Sequence, residues 1–232
     1  MTKQADSQEM KRVFDAIAPG WYNRFHWTRF KDDLDVLARR WGSGRLINLG
    51  CGHGADFLSF RHTFDLSGVD LSPKMLEQAE RYAAKFGYTA RLHCGDVREL
   101  PFESEYFDWA LAVATYHHLK GPDEISRGLV ELYRVLKPGG EAFVTFWNYC
   151  QPRFWFKPRE LAVPWKTGDE TLSRYYYLVS FHQAEALAVR AGFTIIASSP
   201  EKSYRWPVKY FSKNVCLLLH KPSAGPDHQR RI

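Results

Sequence analysis

Between Gly44 and Asn148 the chain repeats one pattern. RLINLG, LSGVDL, TARLHC, FDWALAVAT and EAFVTFW are short apolar runs, and amphipathic stretches at 54–63, 73–86 and 122–136 lie between or after them. Apolar runs this short read as strands buried on both faces, and the stretches between them as helices with one apolar side. Strands alternating with helices pair in parallel through right-handed crossovers, which predicts an open α/β sheet covered on both faces.

The flanks are built differently. Residues 7–18 and 29–41 carry helical spacing, with Met10, Val13, Phe14 and Ile17 in the first and Phe30, Leu34, Leu37 and Trp41 in the second. Five aromatic residues crowd the ten positions 21–30 between them. After residue 148 a segment rich in Pro, Trp, Tyr and basic residues runs over 149–179. It is followed by a predicted helix at 180–191 and strands at 193–198 and 214–220. The SPEKSYRWPVKYFSK between those strands is too short for a parallel crossover, so the pair is expected to be antiparallel. The expected organisation is one domain over 1–222. Its parts are N-terminal helices at 7–41, a core at 44–148, a lid at 149–179 and a C-terminal helix and strands at 180–220, with a flexible tail at 223–232.

With 45% hydrophobic and 25% charged residues the chain has ample material for a core, which excludes a charge-rich disordered chain. No apolar run is long enough to cross a bilayer, and MTKQADSQEMKR has no apolar leader region, so a cytoplasmic protein without membrane contact is expected. Cysteines at 51, 94, 150 and 216 form no CxxC and have no His at ligand spacing, which argues against a metal site and a disulfide framework. A net charge of +6 does not by itself assign a nucleic-acid partner.

INLGCGHGADFL, residues 47–58, runs from a strand through Gly50, Gly52 and Gly54 toward a helix. Glycines at such a turn let a ligand approach the backbone without a Cβ in the way. Gly50, Gly52 and Ala55 with Asp70 would also satisfy a dinucleotide fingerprint. CGDVRELPF separates the readings, because it puts Asp96 at another strand end beside the same crevice. Three loops converging there favour a nucleoside over a pyrophosphate.

LGCGHG, GVDLSPKML, GDVRELPF, FDWALAVATYHHL and LKPGG resemble, in order, the motifs of class I S-adenosylmethionine-dependent methyltransferases over about residues 44–148. The resemblance implies a Rossmann-like, mostly parallel seven-stranded sheet with an antiparallel C-terminal strand. It also implies that the cofactor S-adenosylmethionine is held by Asn48, Gly50, Cys51, Gly52, Gly54, Asp70, Leu71, Asp96, Val97 and Ala114. In that set the glycine loop packs on the methionine part, Asp70 takes the ribose hydroxyls, and Asp96 with the Val97 amide reads the adenine edge. Asn48 departs from the family, which usually carries an acidic residue there and so offers charge to the cofactor ammonium. Asp108 and Leu136 to Gly140 are read as structural, a strand start and a chain-reversing turn, and Cys51 and Cys94 as small buried fillers.

Methyl transfer from a sulfonium is an in-line displacement on an activated carbon, so the protein mainly aligns and desolvates the nucleophile. VATYHHLK puts His117 and His118 near the methyl end, with His117 the acceptor-facing candidate. Residues 160–193 together with FDAIAPGWYNRF at 14–25 resemble the tRNA wobble-uridine methyltransferases that esterify 5-carboxymethyluridine, including the domain fused to an AlkB-type oxygenase in animals. Tyr177 stands where that family tends to have His. The resemblance implies a carboxylate acceptor, which is already ionised at pH 7 and needs a cation to orient it rather than a base. The candidates are Arg24 or Arg29, between which spacing does not choose, and Arg174. It also implies a small zinc-binding activator subunit on a sheet edge.

Eleven aromatic residues over 146–181, interleaved with Arg153, Lys157, Arg159, Lys166 and Arg174, have the composition of an RNA-facing lid. The same composition could cover a small organic acid. The expected function is therefore methyl-ester formation in the tRNA anticodon region. A small-molecule O- or N-methyltransferase of the same fold and a non-catalytic RNA- or partner-binding subunit are the alternatives.

Overall fold

The computed structural model describes residues 3–168 and 170–223. Most of the predicted tail therefore lies outside the described residues. Two helices lead the chain, α1 (Lys3–Arg24) and α2 (Lys31–Trp41). The α/β portion follows as β1 (Gly44–Leu49), β2 (Phe64–Asp70), α3 (Pro73–Phe86), β3 (Arg91–Cys94), β4 (Phe107–Ala112), α4 (Gly121–Val135) and β5 (Leu136–Trp147). A hairpin of β6 (Glu160–Thr167) and β7 (Glu170–Tyr177), helix α5 (Phe181–Arg190), and strands β8 (Thr194–Ser199) and β9 (Asn214–His220) complete it.

Seven strands form one sheet in the order β3-β2-β1-β4-β5-β9-β8. The first five are mutually parallel, while β9 runs antiparallel to both β5 and β8, as the short β8–β9 connection predicted. Strand β1 sits between β2 and β4, so the connections leave it toward opposite sides and a crevice opens at its C-terminal tip. Its residues divide between the two faces with the period of a strand. Ile47 and Leu49 join the core beneath α4 and α5, whereas Leu46 joins the one beneath α2 and α3. A third cluster ties Val13, Ile17 and Ala18 of α1 to Met75 of α3 and to Trp165 and Leu172 of the hairpin.

Several expectations need correction. The stretch 54–63 is a short 3-10 turn at Ala55–Phe60, because Gly54 is left-handed at φ 85° and β2 begins at Phe64, leaving no length for an α-helix. Helix α1 runs on through Pro19 to Arg24, so the first half of the aromatic cluster rides on a helix. The sequence of 149–179 gave no sign of the hairpin. LKPGG opens β5 rather than forming a turn of its own. Cys94 is exposed because β3 is the edge strand, while Cys51 is buried against Gly68 as expected.

The tips of β1 and β4 are locked together. The Thr115 hydroxyl donates to the Leu49 carbonyl at 2.8 Å, and a Cβ on Gly50 would lie 2.5 Å from that threonine. Gly50 also has φ 65°, a conformation that L side chains rarely adopt. Gly42 has a similar φ of 72° with nothing within 4 Å of its missing Cβ. Gly50→Ala is therefore expected to lose about 3 kcal/mol of stability, from overpacking and backbone strain together, against about 1 kcal/mol for Gly42→Ala. Urea denaturation of the two variants measures the difference.

Candidate active site

The crevice at the β1 tip is the nucleoside end of a cavity of about 500 Å3 that continues beneath α1 and the hairpin. Gly50, Cys51 and Gly52 after β1, Asp70 at the end of β2 with Leu71 after it, Asp96 and Val97 after β3, and Ala114 after β4 all line it. The convergence expected from sequence is present for these eight residues. Gly54 is turned away, the missing Cβ facing Tyr88 and Ala79, so it shapes the loop rather than touching a ligand.

Asp70 receives the Gly52 amide on Oδ2 at 2.8 Å and the Ser72 amide on Oδ1 at 2.9 Å. Burial nevertheless pushes its carboxyl up to about 6. Asp96 is committed differently. Burial would raise its carboxyl too, but Arg98 grips both oxygens and holds it below the ordinary carboxylate value. Arg98 also donates to Ser7 of α1 and to Glu124 of α4, so one guanidinium joins the strand tip to the two helices beside it.

Whether these residues suit a sulfonium nucleoside can be judged from three features. Gly52, at φ 53°, has nothing within 4 Å of its missing Cβ, which leaves the backbone open to a ligand. Asn48 is wholly buried, and neither atom of its amide has a well-formed hydrogen bond. Asp56, which sequence reasoning missed, lines the cavity facing the Thr28 hydroxyl and the Asn48 amide, with its carboxyl raised to about 6 by burial. An anion at Asp56 supplies the charge that Asn48 lacks. The residues fit the group.

The far end has the opposite sign. Arg24, Arg29, Arg153 and Arg174 line it, and none makes an ion pair among the described residues. Their guanidinium groups lie over rings instead. Arg24 is 5.2 Å from the Trp165 centroid, Arg29 5.5 Å from Phe25, and Arg153 4.8 Å from Trp147. Arg174 is the most enclosed, 8% exposed, and lies 5.0 Å from Trp165 and 5.5 Å from Trp21. It donates to the Tyr176 hydroxyl at 3.0 Å and leaves its Nε without a partner. Burial, together with the neighbouring Arg24 charge, lowers its affinity for the proton. The choice between Arg24 and Arg29 dissolves, since both reach the wall.

His117 and His118 are also on that wall. Burial drives His117 well below its ordinary value and His118 down to about 4, so both are neutral at pH 7. The His117 Nδ1 accepts the Trp147 amide at 3.3 Å, which assigns its proton to Nε2, and its ring stacks on Tyr176 at 4.9 Å. The His118 Nδ1 sits 3.0 Å from the Tyr175 carbonyl and donates to it. His117 is thus a donor rather than a ready base. Sequence reasoning also missed Met10, Phe14 and Trp21, which roof the cavity from α1. Met10 and Phe14 showed only helical spacing and Trp21 only an aromatic cluster, neither of which singles out a cavity wall.

This sheet, with its switch-point crevice, defines a class I methyltransferase fold. Residues 46–140 match the sequence profile of a family described as a methyltransferase domain, so the chain carries such a domain on a class I methyltransferase fold. It is 30% identical over 149 residues to the tRNA (carboxymethyluridine(34)-5-O)-methyltransferase of Arabidopsis thaliana, a match covering 63% of this chain and 34% of the plant protein. To the ubiquinone/menaquinone biosynthesis C-methyltransferase of Geotalea daltonii it is 27% identical over 162 residues, covering 63% of this chain and 66% of that one. The CcbJ methyltransferase of Streptomyces caelestis shares the fold with a TM-score of 0.72 at 16% identity, over 93% of this chain and 99% of that structure. The chain therefore spans about a third of the length of the plant relative.

If Asp56 faces the cofactor ammonium and Asp70 its ribose hydroxyls, as the resemblance implies for Asp70, both bind better as anions. Because binding favours the ionised forms and both carboxyls titrate near 6, S-adenosylmethionine affinity is expected to be level above pH 7. It should fall as pH drops through 6, by up to about tenfold per unit for each carboxyl. Calorimetry between pH 7.5 and 5 measures this, and Asp70→Asn should weaken binding while removing one of the two titrations.

Proposed function

We propose that this methyltransferase esterifies a carboxylate, the carboxymethyl group of a modified wobble uridine in a tRNA anticodon. The observation that carries the reading is Arg174, a buried guanidinium with an unanswered Nε and no carboxylate partner among the described residues. A buried cation without a counter-ion is costly, and an anionic acceptor removes that cost on binding. Arg24 and Arg29 add charge at the same wall, and Trp21, Phe25 and Trp165 give a splayed base flat apolar surfaces. Likeness to the plant tRNA enzyme supports the same acceptor.

S-adenosylmethionine supplies a methyl group already activated on a sulfonium. The chain's residues have the remaining work of alignment and dehydration. Arg174 and Arg24 hold the carboxylate so that one oxygen faces the methyl carbon, and the rings beside them exclude water. As that oxygen bonds to carbon, the carbon–sulfur bond breaks and its electron pair stays on sulfur. A negative and a positive charge disappear together, and no proton moves. Neutral His117, with its proton on Nε2, is suited to donate a hydrogen bond and has no base to supply.

The reading places the enzyme in the cytoplasm with tRNA. It also accommodates a small zinc-binding partner that adds to a sheet edge, for which β3 and β8 are the two ends of the sheet. A small molecule is the competing acceptor, a reading supported by the likeness to a ubiquinone/menaquinone biosynthesis C-methyltransferase.

If the reading holds, labelled methyl should enter bulk tRNA and be released by mild base, as an ester is. Label that resists base would overturn the ester, and label confined to low-mass acids would overturn the tRNA. Single-turnover transfer should be independent of pH between 7 and 9, because the nucleophile is ionised throughout; a rate rising tenfold per unit would demand a base and contradict a carboxylate. Arg174→Ala should slow transfer by about a hundredfold or more while leaving S-adenosylmethionine affinity within about twofold.

A further inference from the structure

A second concavity adjoins the methyl-transfer cavity, and Arg29, Phe30, Arg153, Lys213 and Asn214 belong to the walls of both. Its outer wall is the β8–β9 connection, with Tyr204, Arg205, Trp206 and Phe211. This connection is fixed in place from beneath. The buried Glu201 accepts the Asn214 amide at 2.9 Å, and the Asn148 side chain donates to the carbonyls of Tyr210 and Ser212 at 2.8 and 2.9 Å. The Lys202 amide reaches Asp33 on α2 at 3.2 Å.

On that fixed base the chain displays large rings to solvent. Trp206 is 75% exposed, and Trp155 and Phe211, each well exposed, meet edge to face at 5.9 Å. Nothing in the fold requires them to face water, since none contributes to the three core clusters. The charge is one-sided. Arg29, Arg153, Arg205 and Lys213 line the groove against a single carboxylate, Glu201, which is turned to the backbone. Arg205 makes no ion pair among the described residues.

We propose that this groove is a nucleic-acid subsite outside the methyl-transfer cavity, holding the unpaired RNA next to the nucleotide that enters the cavity. Bases stack on Trp206 and Phe211, and phosphates lie along Arg205, Lys213 and Arg153. The inference rests on the tRNA reading above and adds where the rest of the loop lies. Flat exposed rings between cations suit a flexible polyanion with π faces, because stacking tolerates any base and the phosphates need only positive charge. The shared wall makes the path continuous, so a strand crossing the groove meets Arg29 and Arg153 and then turns one nucleotide in.

The test uses a fluorescein-labelled anticodon stem–loop RNA, followed by anisotropy at several salt concentrations. Variants Trp206→Ala and Arg205→Ala change residues that line the groove and not the cavity, and Trp206→Phe keeps a ring. Trp206→Ala is expected to weaken RNA binding about tenfold and Trp206→Phe much less. Arg205→Ala should weaken it and flatten the slope of log affinity against log salt by about 0.7, the value for one lost single-strand phosphate contact. S-adenosylmethionine affinity, read by calorimetry, should stay within about twofold in all three, which certifies their folds. If wild-type protein methylates tRNA but the variants keep its RNA affinity and salt slope, the groove is overturned and the tRNA reading stands. If wild-type protein neither binds the stem–loop nor labels tRNA, the tRNA reading and the groove fall together.

Discussion

The hydrogen bond from the Thr115 hydroxyl to the Leu49 carbonyl fixes how far the tips of β1 and β4 part. It needs a residue without a side chain at Gly50, and it sets the left-handed turn at Ala114, whose amide is in turn bonded to the Thr145 hydroxyl at 2.9 Å. From that fixed gap the other loops take their positions. The Cys51 amide returns to the Val69 carbonyl at 3.0 Å, the Gly95 amide to the Asp70 carbonyl at 3.0 Å, and so two further strand ends, those of β2 and β3, are brought to one crevice. Open parallel sheets bind ligands at such a point because the connections diverge there and leave backbone uncovered.

Charge is segregated along the cavity that starts at this crevice. Asp56, Asp70 and Asp96 gather at the sheet end, and Arg24, Arg29, Arg153 and Arg174 at the far end, with two neutral histidines between the hairpin and the β4 tip. The separation suits a reaction in which a cationic donor and an anionic acceptor approach each other and both lose their charge. On the proposed reaction, each partner would be stabilised at its own end in a low-dielectric setting, and the polarity of the walls would sort the two ligands before any chemistry begins.

What the sequence disclosed depended on how local the signal was. Gly50, Gly52, Asp70 and Asp96 were legible because each follows directly on an apolar strand run, and a strand end needs no tertiary knowledge to locate. Asp56 was not, since ADFLSF has the look of a helix start and only the short 3-10 turn brings its carboxyl to Asn48. Arg98 escaped notice because it acts by reaching back to Asp96 and across to Ser7 and Glu124. The hairpin was hidden by its own composition. Along β6 the inward Leu161, Val163 and Trp165 alternate with Ala162 and Pro164, which are non-polar as well, so the sequence reads as a proline-containing apolar run, and the aromatic residues of β7 read equally well as a loose lid. Arg24 and Arg29 could not be told apart by spacing because α1 runs six residues further than its apolar period suggests, and the chain then folds back to bring both to the wall.

Helix α1 covers both halves of the cavity at once. Met10 lines the cavity, Phe14 meets His118 edge to face at 4.9 Å, and Trp21 and Arg24 reach the arginine-lined end, with Trp21 packed on Trp165 of the hairpin at 5.6 Å. The helix is also pinned to the sheet through Ser7, Arg98 and Asp96, and to α3 through Asp15 and Ser72. On the proposed reaction, the spent thioether and the methylated product would both leave from beneath this one helix of 22 residues, so any opening that releases the one also uncovers the other.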